Sequence, residues 1–495
     1  MNKARLLFPT DTSSTNAGEV NWEGCEYSKC GRTDKGVSAF GQVIGIRVRS
    51  NRPLLRTPAD KVGDGIGSDD SLQLERGDHR VAQIYDGLPN SPLSSPHSTA
   101  SSPRTSSPFH PIDDEIPYIQ VLNRLLPSDI RVLAWCPSPP TNFSARFSCK
   151  ERHYRYYFTQ PAFTPTTGVA GLIGGPADIG RGSRPKREGW LDIDAMKDGA
   201  KKFMGLHDFR NFCKIDASKQ IEKYERRIFH SEIEEVDSRT GPVGYVGLPG
   251  FQEFAPLAAA NGHASSSPNN GLMETPKVYY FALHGSGFLW HQVRHMAAIL
   301  FLIGQGLEPP SLIDELLDVT KHPRKPTYEM ADDAPLVLWD CVFPDSTSNS
   351  REGALDWVYV GDTLGKENGV MARGNGKYGS GGVVDDLWKI WRQRKIDEVL
   401  AGTLLDIVVG QGHGNRAGTQ DDGEPRRSGK PPKASQKVFD GGSAARLVGK
   451  YIPVLRKPKM ESVEVISARY AARKGFDVKE ELRDEQPLQC LGLNG

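Results

Sequence analysis

Along residues 43–49 the side chains alternate, with Ile44, Ile46 and Val48 on one side and Gly45, Arg47 and Arg49 on the other. A period of two predicts a half-buried strand. A short helix is expected over 118–126, stopped by Pro127, which has no donor to extend it. Strands are expected over 131–135 and 152–158, the second with Tyr154, Tyr156 and Phe158 on one face. Asp192 stands at an N-cap position before Ile193, Met196, Ala200 and Phe203, which recur at helical spacing, and Gly205 ends that helix. Further strands are expected near 225–236, 278–284 and 336–343, with a helix over 289–303 closed by Gly304. Later, Val384, Leu387, Trp388 and Trp391 fall on one side of a short amphipathic helix.

Other stretches have little to bury. Residues 50–114 read as a disordered insertion, because 87–110 alone hold eight serines and five prolines. Residues 168–189 read as a glycine-rich loop and 240–275 as a loose segment of small residues. Strand–helix–strand recurs in two compact halves, which predicts an α+β fold with two sheet lobes. The expected division is a lobe over 1–158, a lobe over 159–345 and a largely irregular polar extension over 346–495.

Composition narrows the function classes. The 495 residues allow about three domains. An apolar content of 37%, with 52 glycines and 35 prolines, predicts a globular core carrying flexible insertions. Lys and Arg number 62 against 61 acidic residues, a net charge of +1, which excludes a uniformly basic shell but leaves room for a local basic cleft. The longest apolar run, 296–303, is far short of the roughly 20 residues a membrane span needs, so no membrane partner is expected. The N-terminal residues carry no signal-peptide core. Cys25, Cys30, Cys136, Cys149, Cys213, Cys341 and Cys490 are scattered without a CxxC pair, which predicts reduced thiols in the nucleus or cytoplasm. Arg426, Arg427 and Lys430 form a weak nuclear-import signal or a solvated linker.

Four segments could carry chemistry. In Lys29-Cys30-Gly31-Arg32-Thr33-Asp34-Lys35-Gly36-Val37, Asp34 falls on a tight turn between strands. Asp-x-Gly is ordinary turn chemistry, but cations on both sides favour an ionised carboxylate, ready as a nucleophile. In 143–158, aromatic residues interleave with cations, which suits stacking on bases while gripping phosphates, or else builds a strand with one aromatic and one basic face. In 285–296, His291 and His295 have the spacing of a zinc pair, but Gln292 stands where HExxH has glutamate and no third ligand follows. Arg294, alone in the apolar run Val293, Met296, Ala297, Ile299 and Leu300, needs a buried anion, and Asp34 would serve. In 203–214, His207 and Asp208 suggest acid–base chemistry or, more simply, a structural turn.

Taken together, Gly31-Arg32-Thr33-Asp34-Lys35-Gly36-Val37, Phe143-Ser144-Ala145-Arg146-Phe147 and the 288–294 segment resemble the TruA-type tRNA pseudouridine synthases. Lys29-Cys30 and 207–214 tilt the resemblance toward the eukaryotic branch acting on uridines 38 and 39 of the anticodon arm. It covers roughly 20–50, 115–160, 190–236 and 277–343. It implies two RRM/ferredoxin-like lobes in a mixed sheet with a central cleft, and a uridine-to-pseudouridine isomerase. Asp34 becomes the nucleophile and Arg294 its ion-pair partner. Tyr154 packs against the target base and assists proton removal from C5, Arg32 intercalates near the flipped nucleotide, and Leu336 with Phe288 lines the base pocket. No cofactor and no metal are implied, since the isomerisation changes no redox state. The partner is tRNA, in the nucleus or cytoplasm, and a homodimer follows by analogy alone. The family opens with a strand and a helix before this loop, whereas about thirty residues precede Asp34 here. The first strand of the lobe is therefore expected to be missing, and the alternative to an enzyme is an inactive tRNA-binding protein.

Overall fold

The computed structural model describes residues 4, 6–7, 25–53, 109–165, 172–173, 186–237, 276–345, 350–362, 376–411 and 436–475. Most of the expected insertion at 50–114, most of the loops at 168–189 and 240–275, and the basic run at 426–430 lie outside the described residues. The chain divides into two compact units, one of residues 1–21, 48–138 and 356–394, the other of 22–47, 139–355 and 395–495.

In the first unit, Leu6, Ile116 and Tyr118 are buried together beside Trp135. The helix Tyr118–Asn123 ends ahead of Pro127, as expected. The strand expected over 131–135 shrinks to Ala134–Trp135, paired with Val358–Tyr359. Arg131 instead turns to Asp386 at 2.6 Å.

The second unit is built on a mixed six-stranded sheet. Its order is Ser38–Ala39, Leu336–Val342, Glu151–Gln160, Lys277–Gly285, Glu225–Glu235 and Gly205–Asp208. Ser38–Ala39 runs parallel to its neighbour, and the other pairs are antiparallel. The alternation of the central strand is as read from the sequence. Tyr156 and Phe158 are buried, and both rings meet Phe301 edge-on, at 5.8 and 5.4 Å. On the opposite face Arg155 lies 3.6 Å from the Trp339 ring and 4.4 Å from the Tyr280 ring.

Phe301 belongs to the helix Gln292–Gly304, every residue of which is buried. A helix apolar on all sides is stable only when surrounded. The neighbouring helix Ile193–Lys201 packs beside it, with Asp192 accepting from Ala195 N–H at 3.0 Å as its cap. Gly304 permits the approach, since a Cβ there would lie 2.6 Å from Met196 Sδ.

Further expectations are refined. The strand over 43–49 reduces to Ile44–Gly45, paired with Ser28–Lys29. The Cys30 N–H bond to the Val43 carbonyl sets that register, so Val43 turns inward and Ile44 is exposed. Among the described residues after 345, Val438, Phe439, Val454 and Val463 join the main core. Phe439 packs on Phe301 and Phe163, and the Tyr156 hydroxyl donates to the Gly441 carbonyl at 2.7 Å. These apolar residues are too sparse to show a period, yet they cap the buried helix. The late helix is long rather than short, spanning the 28 residues Val383–Gly410, and leaves Leu387 and Trp388 exposed. No helix among the described residues is long and apolar enough to cross a membrane.

Candidate active site

The segment 30–39 is a loop anchored at both ends. Gln42 brackets Gly31, accepting from its N–H at 3.3 Å and donating to its carbonyl at 3.0 Å. At the other end Ser38 and Ala39 pair with Val337 and Leu338. Between the anchors Val37 N–H donates to the Asp34 carbonyl at 3.1 Å, closing the turn expected of this sequence. Gly36 is required there, because its φ is +90° and a Cβ would lie 2.5 Å from Asp333 Oδ1. Asp34 therefore sits at the tip, with Arg32 and Lys35 exposed on either side.

Both carboxylate oxygens of Asp34 are engaged by consecutive residues ahead of the buried helix. Trp290 Nε1–H donates to Oδ1 at 3.3 Å, and His291 Nε2 lies 3.1 Å from Oδ2. His291 adopts φ +60°, ψ +12°, the left-handed region, which costs a non-glycine residue roughly 1–3 kcal/mol. That backbone swings the ring over Asp34. Burial lowers the His291 pKa, with Arg294, Lys214 and Lys325 pressing the same way and Asp34 opposing. The bond to Asp34 assigns the donor role to Nε2, and Nδ1 is buried without a partner among the described residues.

Arg294 does not pair with Asp34. Its Nε donates to the Ala331 carbonyl at 2.8 Å, and its guanidinium faces Asp333 at 3.9 Å. No hydrogen bond or ion pair joins residues 34 and 294 among the described residues. The reason is positional: the space above Asp34 is filled by His291 and Trp290. Arg294 still reaches the loop indirectly, since Asp333 is the side chain that packs on Gly36.

The other candidates gather nearby. Tyr154 meets Phe288 edge-on at 5.0 Å, and the charge of Asp34 contributes to raising the Tyr154 pKa, after burial and the Cys341 thiol. Leu336 is buried opposite Tyr156 in the sheet. Arg32 makes no hydrogen bond or ion pair among the described residues, and with Tyr27, Lys29 and Gln42 it lines an open concavity of about 320 Å³. His291 and His295 do not converge: His295 Nε2 lies 2.8 Å from Lys325 Nζ, itself bonded to the Cys213 carbonyl. Asp208 clamps Arg210 at 2.8 Å at the end of a strand, a structural role.

Sequence reasoning missed three partners. Trp290 and His291 stood in the singled-out segment, but nothing in its spacing shows which residue meets Asp34. Asp333 carries no motif at all. An unpaired arginine on an apolar helix announces that an acid exists somewhere, not which one.

Residues 200–344 match the family model described as tRNA pseudouridine synthase. The chain is 37% identical over 320 residues to the tRNA pseudouridine(38/39) synthase of Saccharomyces cerevisiae, covering 65% of this chain and 46% of that protein. It is 36% identical over 360 residues to the mouse protein of the same name, covering 72% and 50%. Similarity to tRNA pseudouridine synthase A of Delftia acidovorans is 28% over 246 residues, covering 49% and 74%. The chain thus spans about half the length of its eukaryotic relatives.

Proposed function

The chain carries a pseudouridine synthase domain of the TruA type, and from that premise we propose that it isomerises uridine to pseudouridine in the anticodon arm of tRNA, at positions 38 and 39. The observation that carries the reading is Asp34 itself: a carboxylate at the tip of a basic loop, held on both oxygens by residues some 256 positions away in sequence.

The reaction breaks N1–C1′, turns the base and joins C5 to C1′. A proton leaves C5 and one returns to N1, so atoms balance without an external group. Asp34 is the group assigned to engage the nucleoside, at C1′ or C6. Trp290 and His291 fix its orientation and leave no rotamer to search, which is how positioning lowers a barrier. Burial keeps Tyr154 a neutral phenol. Its assigned role is to pack on the base, and it can accept the C5 proton only while releasing its own. The target uridine must leave its stack to reach Asp34, and Arg32, Lys29 and Lys35 supply the basic rim for the flanking phosphates.

The finer architecture belongs to the same proposal: two lobes of the RNA-recognition type share the mixed sheet, and two chains associate as a homodimer by analogy. The nucleus and cytoplasm are the compartments assigned to it. The direct test is to map pseudouridine in tRNA transcripts after incubation with the purified chain. Product at 38 or 39 is expected. Salt-sensitive tRNA binding with no product at any uridine would replace this reading with a non-catalytic tRNA binder.

A further inference from the structure

Three cysteines that are scattered in sequence meet at the foot of the Asp34 loop. Cys30, Cys149 and Cys341 are all buried, and their sulfurs lie within 4.8 Å of one another. Cys30 Sγ and Cys341 Sγ are 3.1 Å apart, and Cys149 Sγ is 3.2 Å from the Glu151 carbonyl. Buried thiols usually behave as small apolar groups, and a pair in contact needs no further account. Here the third sulfur and a partly buried guanidinium change the picture. Arg152 donates to the carbonyls of Cys30, Ser286 and Arg146 at 2.9, 3.1 and 3.2 Å, and no carboxylate pairs with it among the described residues. A cation in this setting calls for negative charge, and the nearby groups able to supply it are the sulfurs.

We propose that Cys30, Cys149 and Cys341 form a binding site for one thiophilic d10 cation, Zn²⁺ or Cu⁺, that clamps the base of the Asp34 loop. Thiolates select such ions over hard cations. Charge favours zinc: three thiolates and Zn²⁺ sum to −1, which Arg152 cancels, whereas Cu⁺ leaves a net −1 beside it. Binding displaces the thiol protons to solvent. Zinc normally takes four ligands, so a water or another small donor completes the set.

The placement gives the ion a purpose. Cys30 opens the loop, and Cys341 lies on the strand whose Val337 and Leu338 pair with the loop's far end at Ser38 and Ala39. Cys149 leads directly into the central strand. One ion would tie all three segments together beneath Asp34. A second cluster, Glu151 with His153 and His284, makes a weaker case, because Arg351 and His153 already hold Glu151, at 2.6 and 3.0 Å.

The test is elemental analysis of the purified full chain, stripped with chelator and reloaded separately with Zn²⁺ or Cu⁺ under reducing conditions. About one equivalent of one of the two ions is expected, lost in Cys149→Ser and retained in Cys136→Ser. Which ion is retained distinguishes the two sources. Should Cys149→Ser fail to fold, thiol titration of the native parent decides instead: three thiols should be protected by the bound ion and released by chelator. A parent that retains neither ion, a Cys149→Ser protein that retains it fully, or thiol reactivity indifferent to the ion would each overturn the site.

Discussion

The Asp34 loop and the helix facing it differ in almost every physical respect. In the loop, Arg32, Thr33, Lys35 and Gly36 are exposed, and the chain is held by a handful of backbone and Gln42 bonds. In the helix Gln292–Gly304 all thirteen residues are buried. The Asp34 carboxylate rides on the weakly packed element, while Trp290 and His291, which bond it, precede the strongly packed one. The contrast teaches a division of labour: the proposed function needs an exposed loop to receive a large RNA, and the core supplies rigidity. Substitutions in the loop should then cost activity alone, and substitutions in the helix should cost stability as well.

The largest expected effect is at the loop tip. Asp34→Asn should reduce pseudouridine formation by about a thousandfold or more, as loss of a nucleophile does, with unchanged melting temperature and near-parent tRNA binding. Tritium release and a thermal melt on the same preparation check it, and parent-like turnover would refute the nucleophile assignment.

Arg294→Ala tests the helix side. It strands the Ala331 carbonyl and frees Asp333 beneath Gly36, so stability should fall by about 2–3 kcal/mol together with activity. Denaturant unfolding measures the first, and a change confined to activity would remove the distinction between the two regions.

His291→Gly sharpens the border between them. Glycine relieves the left-handed backbone while deleting the ring on Asp34. Stability should stay within about 1 kcal/mol of the parent, while kcat falls about tenfold to a hundredfold through loss of positioning. A fully active variant would show that Trp290 alone suffices.

The smallest effect is a slope. Burial, with Lys325 next, pushes the His295 pKa down to about 2 from an ordinary 6.5. Below about pH 6.5 the unfolded chain binds a proton that the folded chain refuses, so stability falls as pH drops, by about 1 kcal/mol per unit. Lys325, lowered by burial to about 7 from 10.5, adds a limb of the same sign at higher pH: its share of stability rises with pH between those values. Unfolding midpoints from pH 7 to 5 should decline in the parent and decline less steeply in His295→Gln, where burial of His284 still contributes. An equal slope in both would locate the acid sensitivity elsewhere.

Much of this was legible beforehand. The central strand's aromatic face, the Asp192 cap and the apolar helix follow from period and cap chemistry, which act over a few residues. The Gly-Arg-Thr-Asp-Lys-Gly loop stood out through its family resemblance, since by turn chemistry alone Asp-x-Gly is an ordinary hairpin. Less legible were the partners. Asp34 was matched to Arg294, whereas it meets Trp290 and His291, and Arg294 goes to Asp333. The cysteines looked scattered and three of them touch. The region after 345 looked irregular and lends Phe439 to the core.

By itself, the sequence determined the central strand with its aromatic face, the capped helix, the apolar helix and the tight turn that carries Asp34. Those are local matters of period, capping and turn chemistry. Only the tertiary structure decided who stands opposite whom. Pairing across hundreds of residues depends on helix rotation and sheet register, and a single left-handed residue at 291 was enough to put an imidazole where a guanidinium was expected.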